Sequence, residues 1–217
     1  VKNGTGTLDL PEHNTYSGAT TINQGILKLS GSQRRNLNTT YTVDGAGAVL
    51  EAANVQVFSS FGNSYDKLLT ATNGGTIKAT SVAIRIGDVT LDNSSSLTAN
   101  AANGAYGGFY IGQLAAGASP TVTVSGSGAS QIDGSGDFAI VATIFDVADS
   151  TGNTDADLTV SVALHDMTGI NFTGNVLIPG AVTKAGSGTM TLSGVNNYSG
   201  ATTVNAGILS LGDGTNN

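Results

Sequence analysis

Four aspartates crowd one short stretch, D-V-A-D-S-T-G-N-T-D-A-D, as Asp146, Asp149, Asp155 and Asp157. Carboxylates that repel one another in a loop containing Gly and Asn are relieved by a hard cation with oxygen ligands, so these four are candidate ligands of a structural Ca²⁺. The spacing is that of neither an EF-hand nor a glycine-rich calcium nonapeptide, and a solvated acidic loop is the competing reading. A second stretch, G-A-Y-G-G-F-Y-I-G, offers rings to a sugar. Strand alternation sends Phe109 and Ile111 inward there, and leaves Tyr106 and Tyr110 outward as candidate carbohydrate-stacking residues. The two histidines offer less. His13 is replaced by Val195 at the equivalent place of an internal repeat, and His165 and Asp166, as neighbours on a strand, point to opposite faces.

Within the acidic stretch, Asn153-Thr154-Asp155 resembles the N-T-D element of polygalacturonases, which cleave glycosidic bonds with several carboxylates on one face of a right-handed β-helix. The paired-Asp, Gly-His-Gly and Arg-Ile-Lys elements that accompany it in those enzymes do not follow Asp155. A polysaccharide lyase would want a basic residue beside its Ca²⁺, and Arg85 is the one basic side chain between Ala79 and Thr183. A carbohydrate-active enzyme is therefore the alternative reading, and a non-enzymatic protein the preferred one.

The elements that must carry these residues are announced by a repeat. Residues 2–29 match residues 184–211 at 17 of 28 positions, including both glycines of G-x-G, the block Y-S-G-A-T-T and the closing I-L-x-L. Within each copy, T-L-D-L or T-M-T-L, A-T-T-[IV]-N and I-L-x-L alternate apolar and polar residues at period two, as short strands do. Asn, Ser and Gly stand between them, the residues of tight turns. Three strands and two turns in roughly 25 residues make one coil of a solenoid, which must stack on a neighbour to bury its face. Weaker copies, A-V-L-E-A, G-T-I-K-A, S-S-L-T-A and A-S-Q-I-D, place Leu50, Ile77, Leu97 and Ile132 as successive core residues, and V-Q-V-F at 55–58 is a further expected strand. Asn23 and Asn205, at equivalent turns, are expected to form amide ladders.

The motif G-x-G-T-L-x-L followed by N-x-Y-S-G-A-T-T-[IV]-N-x-G-I-L-x-L resembles the autotransporter-associated β-strand repeat of bacterial passenger domains. The resemblance covers residues 2–29 and 184–211. It implies an all-β fold, a right-handed single-stranded parallel β-helix displayed or secreted at a Gram-negative cell surface. No catalytic residue comes with it. On this reading residues 1–217 form one β-helix segment of roughly eight coils without significant helix, with degenerate coils between the two repeat copies. Its partners are other copies of itself or neighbouring modules through coil stacking, with cell-surface glycans as a further candidate.

Composition agrees independently. Charged residues make up 11% of the chain and hydrophobic ones 39%, with 31 glycines among 217 residues, a profile of short strands and turns rather than disorder. The net charge of −7 speaks against nucleic acid and anionic membrane surfaces, which call for clustered Lys and Arg. Arg34-Arg35 is the one basic pair and reads as a solvated turn. The longest apolar run, Phe138 to Phe145, is too short to cross a bilayer. The chain has no cysteine, which suits export without demanding it. Val1 stands inside a repeat with no initiator methionine, so the segment is expected to come from a longer polypeptide.

Overall fold

In the computed structural model, residues 1–12, 14, 16–31, 40–54, 57–58, 68–101, 108–112, 119–171 and 174–212 are described. Among them there is no helix. The strands form three sheets of nine, eight and five members. The chain visits them in rotation, as in Val89–Asp92, Ser96–Ala99 and Phe109–Ile111, after which Thr121–Ser125 rejoins the sheet of Val89–Asp92. Each strand pairs in parallel with its counterparts one coil earlier and one coil later. This is a parallel β-helix. Its nine-stranded sheet runs from Thr7–Leu10 to Ile208–Leu211, nine rungs where the sequence suggests about eight, and spans roughly 38 Å at the usual strand spacing.

Stacking at period two explains the core. Leu8, Leu27, Leu50, Ile77, Leu97, Ile132, Val160, Leu192 and Leu211 succeed one another as Cα partners down the nine-stranded sheet. All but the first and last are buried. Each buried Leu, Ile or Val in this ladder contributes on the order of 2 kcal/mol by leaving water. The four residues singled out from the weak coils all lie on it. On the opposite face of the same sheet Asp9, Lys28, Glu51 and Lys78 succeed one another, a ladder of alternating charge.

Turns stack as well. Asn23 donates to Asn3 Oδ1 at 2.9 Å, and a longer ladder forms where Asn93 donates to Asn73 and Asn73 to Asp44, at 3.1 and 2.7 Å. Asn73 and Asn93 hold left-handed backbones, φ 53° and 51°, which Asn tolerates better than most side chains. One expected strand, at 55–58, is not found among the described residues. Val57 and Phe58 of V-Q-V-F lie in a turn, where both are buried and the Phe58 ring meets Tyr41 edge-on at 5.5 Å; Val55 and Gln56 lie outside the described residues.

Among the described residues the third sheet begins at Ile84–Ile86, and it ends differently. Ala163–Asn171 pairs in parallel with Asp137–Ile140, runs on past it, and returns as Gly174–Ile178 in an antiparallel hairpin, the one reversal among the described strands.

Candidate functional site

The aspartates of the acidic stretch do not gather. Asp146 is exposed on Ala142–Val147, and Asp149 and Asp155 are exposed in the following turn. Asp149 caps that turn by accepting the Gly152 N–H at 2.9 Å. Asn153 accepts the Asp155 N–H at 2.6 Å, so N-T-D here is an Asx turn. Asp157 is fully buried and points the other way. Its Oδ1 accepts the N–H groups of Ser150 and Thr151 at 2.8 and 2.7 Å and the Ser150 hydroxyl at 3.2 Å; its Oδ2 accepts the Thr189 N–H at 2.7 Å. Burial would raise its pKa, but these donors outweigh burial and hold it below the ordinary 3.8. Its oxygens are occupied by the protein. Among the described residues no three acidic or histidine side chains are placed to hold a metal ion together.

Tyr110 corrects the expectation of an outward ring. It does stand on the face away from the main core, in register with Arg85, Ala139 and His165. That face is covered, however, and Tyr110 is 1% exposed in a second cluster with Ala139, Val141 and Met167, against which Ala83 and Ile178 pack. The hairpin strand brings Ile178 there, and the Arg85 guanidinium lies 5.5 Å from the Tyr110 ring centroid. Runs such as I-R-I and F-A-I, buried on both faces, carry the signal that alternation alone missed. Tyr106, His13 and the pair Arg34-Arg35 lie outside the described residues.

His165 is buried in the same region. Its Nε2 lies 3.6 Å from Asp137 Oδ2, and its Nδ1 lies 2.8 Å from the Asp166 carbonyl oxygen. Asp166 faces the other way, as alternation requires, and accepts the N–H groups of Gly180 and Ser199 at 2.7 and 2.8 Å. Burial raises its pKa, and those N–H donors, the Ser199 hydroxyl and His165 together lower it further than burial lifts it. Asp157 and Asp166 thus do the same task at two corners, each tying backbone amides of different coils.

The strongest site-like construction is one that the sequence reading passed over. Lys184 sits on Ala181–Ala185 at an inward position, between Phe145 and Val204 in register, and is fully buried. Its ammonium donates to the carbonyls of Ala185, Gly186 and Ala206 at 2.7, 2.8 and 3.2 Å. Lys2, 182 positions earlier, donates to Asn3, Gly4 and Gln24 at 3.4, 2.6 and 2.9 Å, which are the same three places of the repeat. All three donors of each ammonium are used. Burial lowers the Lys184 pKa, against the pull of Asp146 and Asp157. Glycine makes the cradle: a Cβ on Gly207 would stand 2.7 Å from the Lys184 ammonium and 2.4 Å from the Gly188 oxygen, on a backbone at φ +70°. The identity of Lys2 and Lys184 in the aligned copies was the available signal. Tyr16 and Tyr198 complete the parallel, each hydroxyl bonding the Thr of its own copy, Thr20 at 3.2 Å and Thr202 at 2.7 Å.

The arrangement therefore holds coils to coils, with carboxylates and ammoniums spent on backbone groups at the corners. The passenger-associated-transport-repeat family model matches residues 1–29 and 182–211, the two coils built on Lys2 and Lys184. Over 235 aligned positions the chain is 29% identical to the Adhesin BmaC autotransporter of Brucella suis biovar 1 (strain 1330), covering 95% of this chain and 7% of that protein. No solved structure matches the chain. Both ends of this chain accordingly match the passenger-associated-transport-repeat model, and nearly all of it is similar to a small part of an autotransporter adhesin.

Proposed function

We propose that this segment is an extracellular β-helix module of an autotransporter-type surface protein, serving as a stalk and display scaffold rather than as an enzyme. The observation that carries this reading is the aliphatic ladder from Leu8 to Leu211, which makes the segment one continuous rod wall. A wall of that kind resists bending and adds length with each coil. The buried ionisable groups Asp157, Asp166 and Lys184 support it further, since each is committed to backbone partners. Similarity to an adhesin points to the outer cell surface as the location and to adhesion as the role of the parent. The polysaccharide-cleaving alternative draws little from the geometry, because Asn153–Asp155 forms a turn and Asp157 is closed by hydrogen bonds.

Antibodies raised against purified 1–217 test the reading on intact cells of the source organism. Labelling of unpermeabilised cells, lost after external protease, is expected. Labelling only after permeabilisation overturns the surface assignment. Release of new reducing or unsaturated ends from a panel of acidic polysaccharides would overturn the non-enzymatic part.

A further inference from the structure

The outer face of the third sheet buries two groups for which a plain scaffold has no use, His165 and Asp137, with 9% and 14% of their side chains exposed. They sit diagonally on neighbouring strands, since the register partner of His165 is Ala139, two residues after Asp137. The imidazole's tautomer follows from the geometry. Its Nδ1 lies 2.8 Å from the Asp166 carbonyl oxygen, which can accept but not donate, so Nδ1 carries a hydrogen. In the neutral ring Nε2 is then a bare lone pair. It is buried, has no hydrogen-bond partner among the described residues, and faces Asp137 Oδ2 at 3.6 Å. Two acceptors thus stand against each other, and a proton on Nε2 would turn the contact, once slightly shortened, into a charge-assisted N–H···O bond.

The surroundings favour that proton. With a neutral ring beside an ionised Asp137 the buried pair is anionic, so protonation lowers the buried net charge. Asp137 is held in place from the preceding strand, where its Oδ1 accepts the Gly108 N–H at 3.1 Å. Asp166, on the same strand as His165, turns the other way, and its lowered pKa owes part of its shift to the charge of His165. The opposing charge is Arg85, three rungs back through Tyr110 and Ala139, about 14 Å of sheet away, with its guanidinium over the Tyr110 ring. At that distance it does not outweigh two nearer carboxylates. The segments 101–120, 167–183 and 193–201 contain tyrosines but no Asp, Glu, Lys, Arg or His. A shared metal ion would want a third acidic or histidine ligand, and none is placed there among the described residues.

We infer that His165 is an acid-operated latch for the hairpin: a proton on Nε2 bonds the root of Ala163–Asn171 to Asp137, and loss of that proton releases the hold. The position gives the bond its leverage. Ala163–Asn171 pairs with Asp137–Ile140 only as far as Asp166, and from Met167 onward its partner is Gly174–Ile178. The latch therefore sits at the last anchored residues, and tightening it secures Met167 and Ile178 over Tyr110. Mildly acid surroundings, in which histidines take up their second proton, would firm this part of the wall. The latch goes beyond the scaffold reading, which either outcome below leaves intact.

The test uses chain 1–217 carrying His13→Val, the residue that Val195 shows at the equivalent place, so that His165 is the one imidazole left. Its ¹⁵N ring signals are expected to report a neutral, Nδ1-protonated ring at pH 8 and, at pH 5.5, a doubly protonated ring whose Nε2 hydrogen exchanges slowly. Hydrogen exchange of the amides of 163–171 and 174–178, corrected for the intrinsic effect of pH, is expected to slow by about tenfold over the same range, while Ser96–Ala99 changes less. His165→Gln and, separately, Asp137→Asn are expected to flatten that response. A neutral ring protonated at Nε2, or a ring still neutral at pH 5.5, overturns the inference in the chain with His165 intact, whether or not those two variants fold. Hairpin protection that is indifferent to pH, or that still rises with acid in His165→Gln, overturns it as well.

Discussion

Asp157 Oδ2 accepts the Thr189 N–H at 2.7 Å, a bond between residues 32 positions apart that joins one coil to the next at the entrance of the second repeat. The other oxygen of the same carboxylate holds the Ser150 and Thr151 amides, so a single side chain closes a turn and a coil junction. Replacing it by Ala would leave three N–H groups without their acceptor around a buried position. Asp157→Ala is expected to cost about 3 kcal/mol and Asp157→Asn about half of that, since an amide oxygen still accepts. Urea unfolding of both variants measures this, and a difference under about 0.5 kcal/mol for Asp157→Ala would remove the assigned role.

The pKa shifts of Asp157 and Asp166 set a pH dependence. Both are lowered from the ordinary 3.8, so the unfolded chain takes up protons at those sites before the folded one does. The stabilisation they supply is complete above the unfolded value and is lost as pH falls from there through the folded values. Thermal midpoints are therefore expected to hold through neutral pH and to fall below about pH 4. In the double variant Asp157→Asn, Asp166→Asn, that acid limb is expected to flatten. An unchanged acid limb in the double variant would place the pH dependence elsewhere.

Lys184 and Lys2 are a matched pair in unequal surroundings. Lys184→Met keeps the aliphatic stem but deprives the carbonyls of Ala185, Gly186 and Ala206 of their donor inside the fold. A loss of about 2 kcal/mol is expected. Lys2→Met, at an end where Lys2 is only half-buried and water can replace the ammonium, is expected to cost less. Chemical denaturation of the two variants side by side measures the difference, and equal losses would contradict it.

The charge ladder Asp9, Lys28, Glu51, Lys78 predicts a salt-dependent effect. Lys28→Glu sets three carboxylates in successive rungs about 4.8 Å apart. A loss of about 1 kcal/mol at low salt is expected, shrinking as added salt screens the exposed charges. The control Lys28→Gln separates loss of attraction from gain of repulsion. A Lys28→Glu penalty that does not respond to salt would show that packing and not charge is responsible.

The solenoid was legible in the chain because its rule is local. Leu50, Ile77, Leu97 and Ile132 stand at the same place of short alternating runs, and alternation at period two puts each on the inner face whatever the loop between them does. Residues repeated at an offset of 182 had to make like coils, and the paired hydroxyls of Tyr16 with Thr20 and Tyr198 with Thr202 show how closely they do.

What surrounds a residue was another matter. Tyr110 faces away from the core as alternation predicts, but whether that face meets water depended on Ile178, which a hairpin some sixty positions further on brings against it. Asp157 looked like one of four equivalent acids until the fold turned it toward Thr189 and left Asp146, Asp149 and Asp155 outside. Lys184 drew no notice in the sequence, and its inward register and three carbonyls make it part of the core. In each case the period of a strand assigns a side, a property of neighbours in the chain. The occupant of that side comes from residues distant in sequence, and only the packing of coil on coil chooses it.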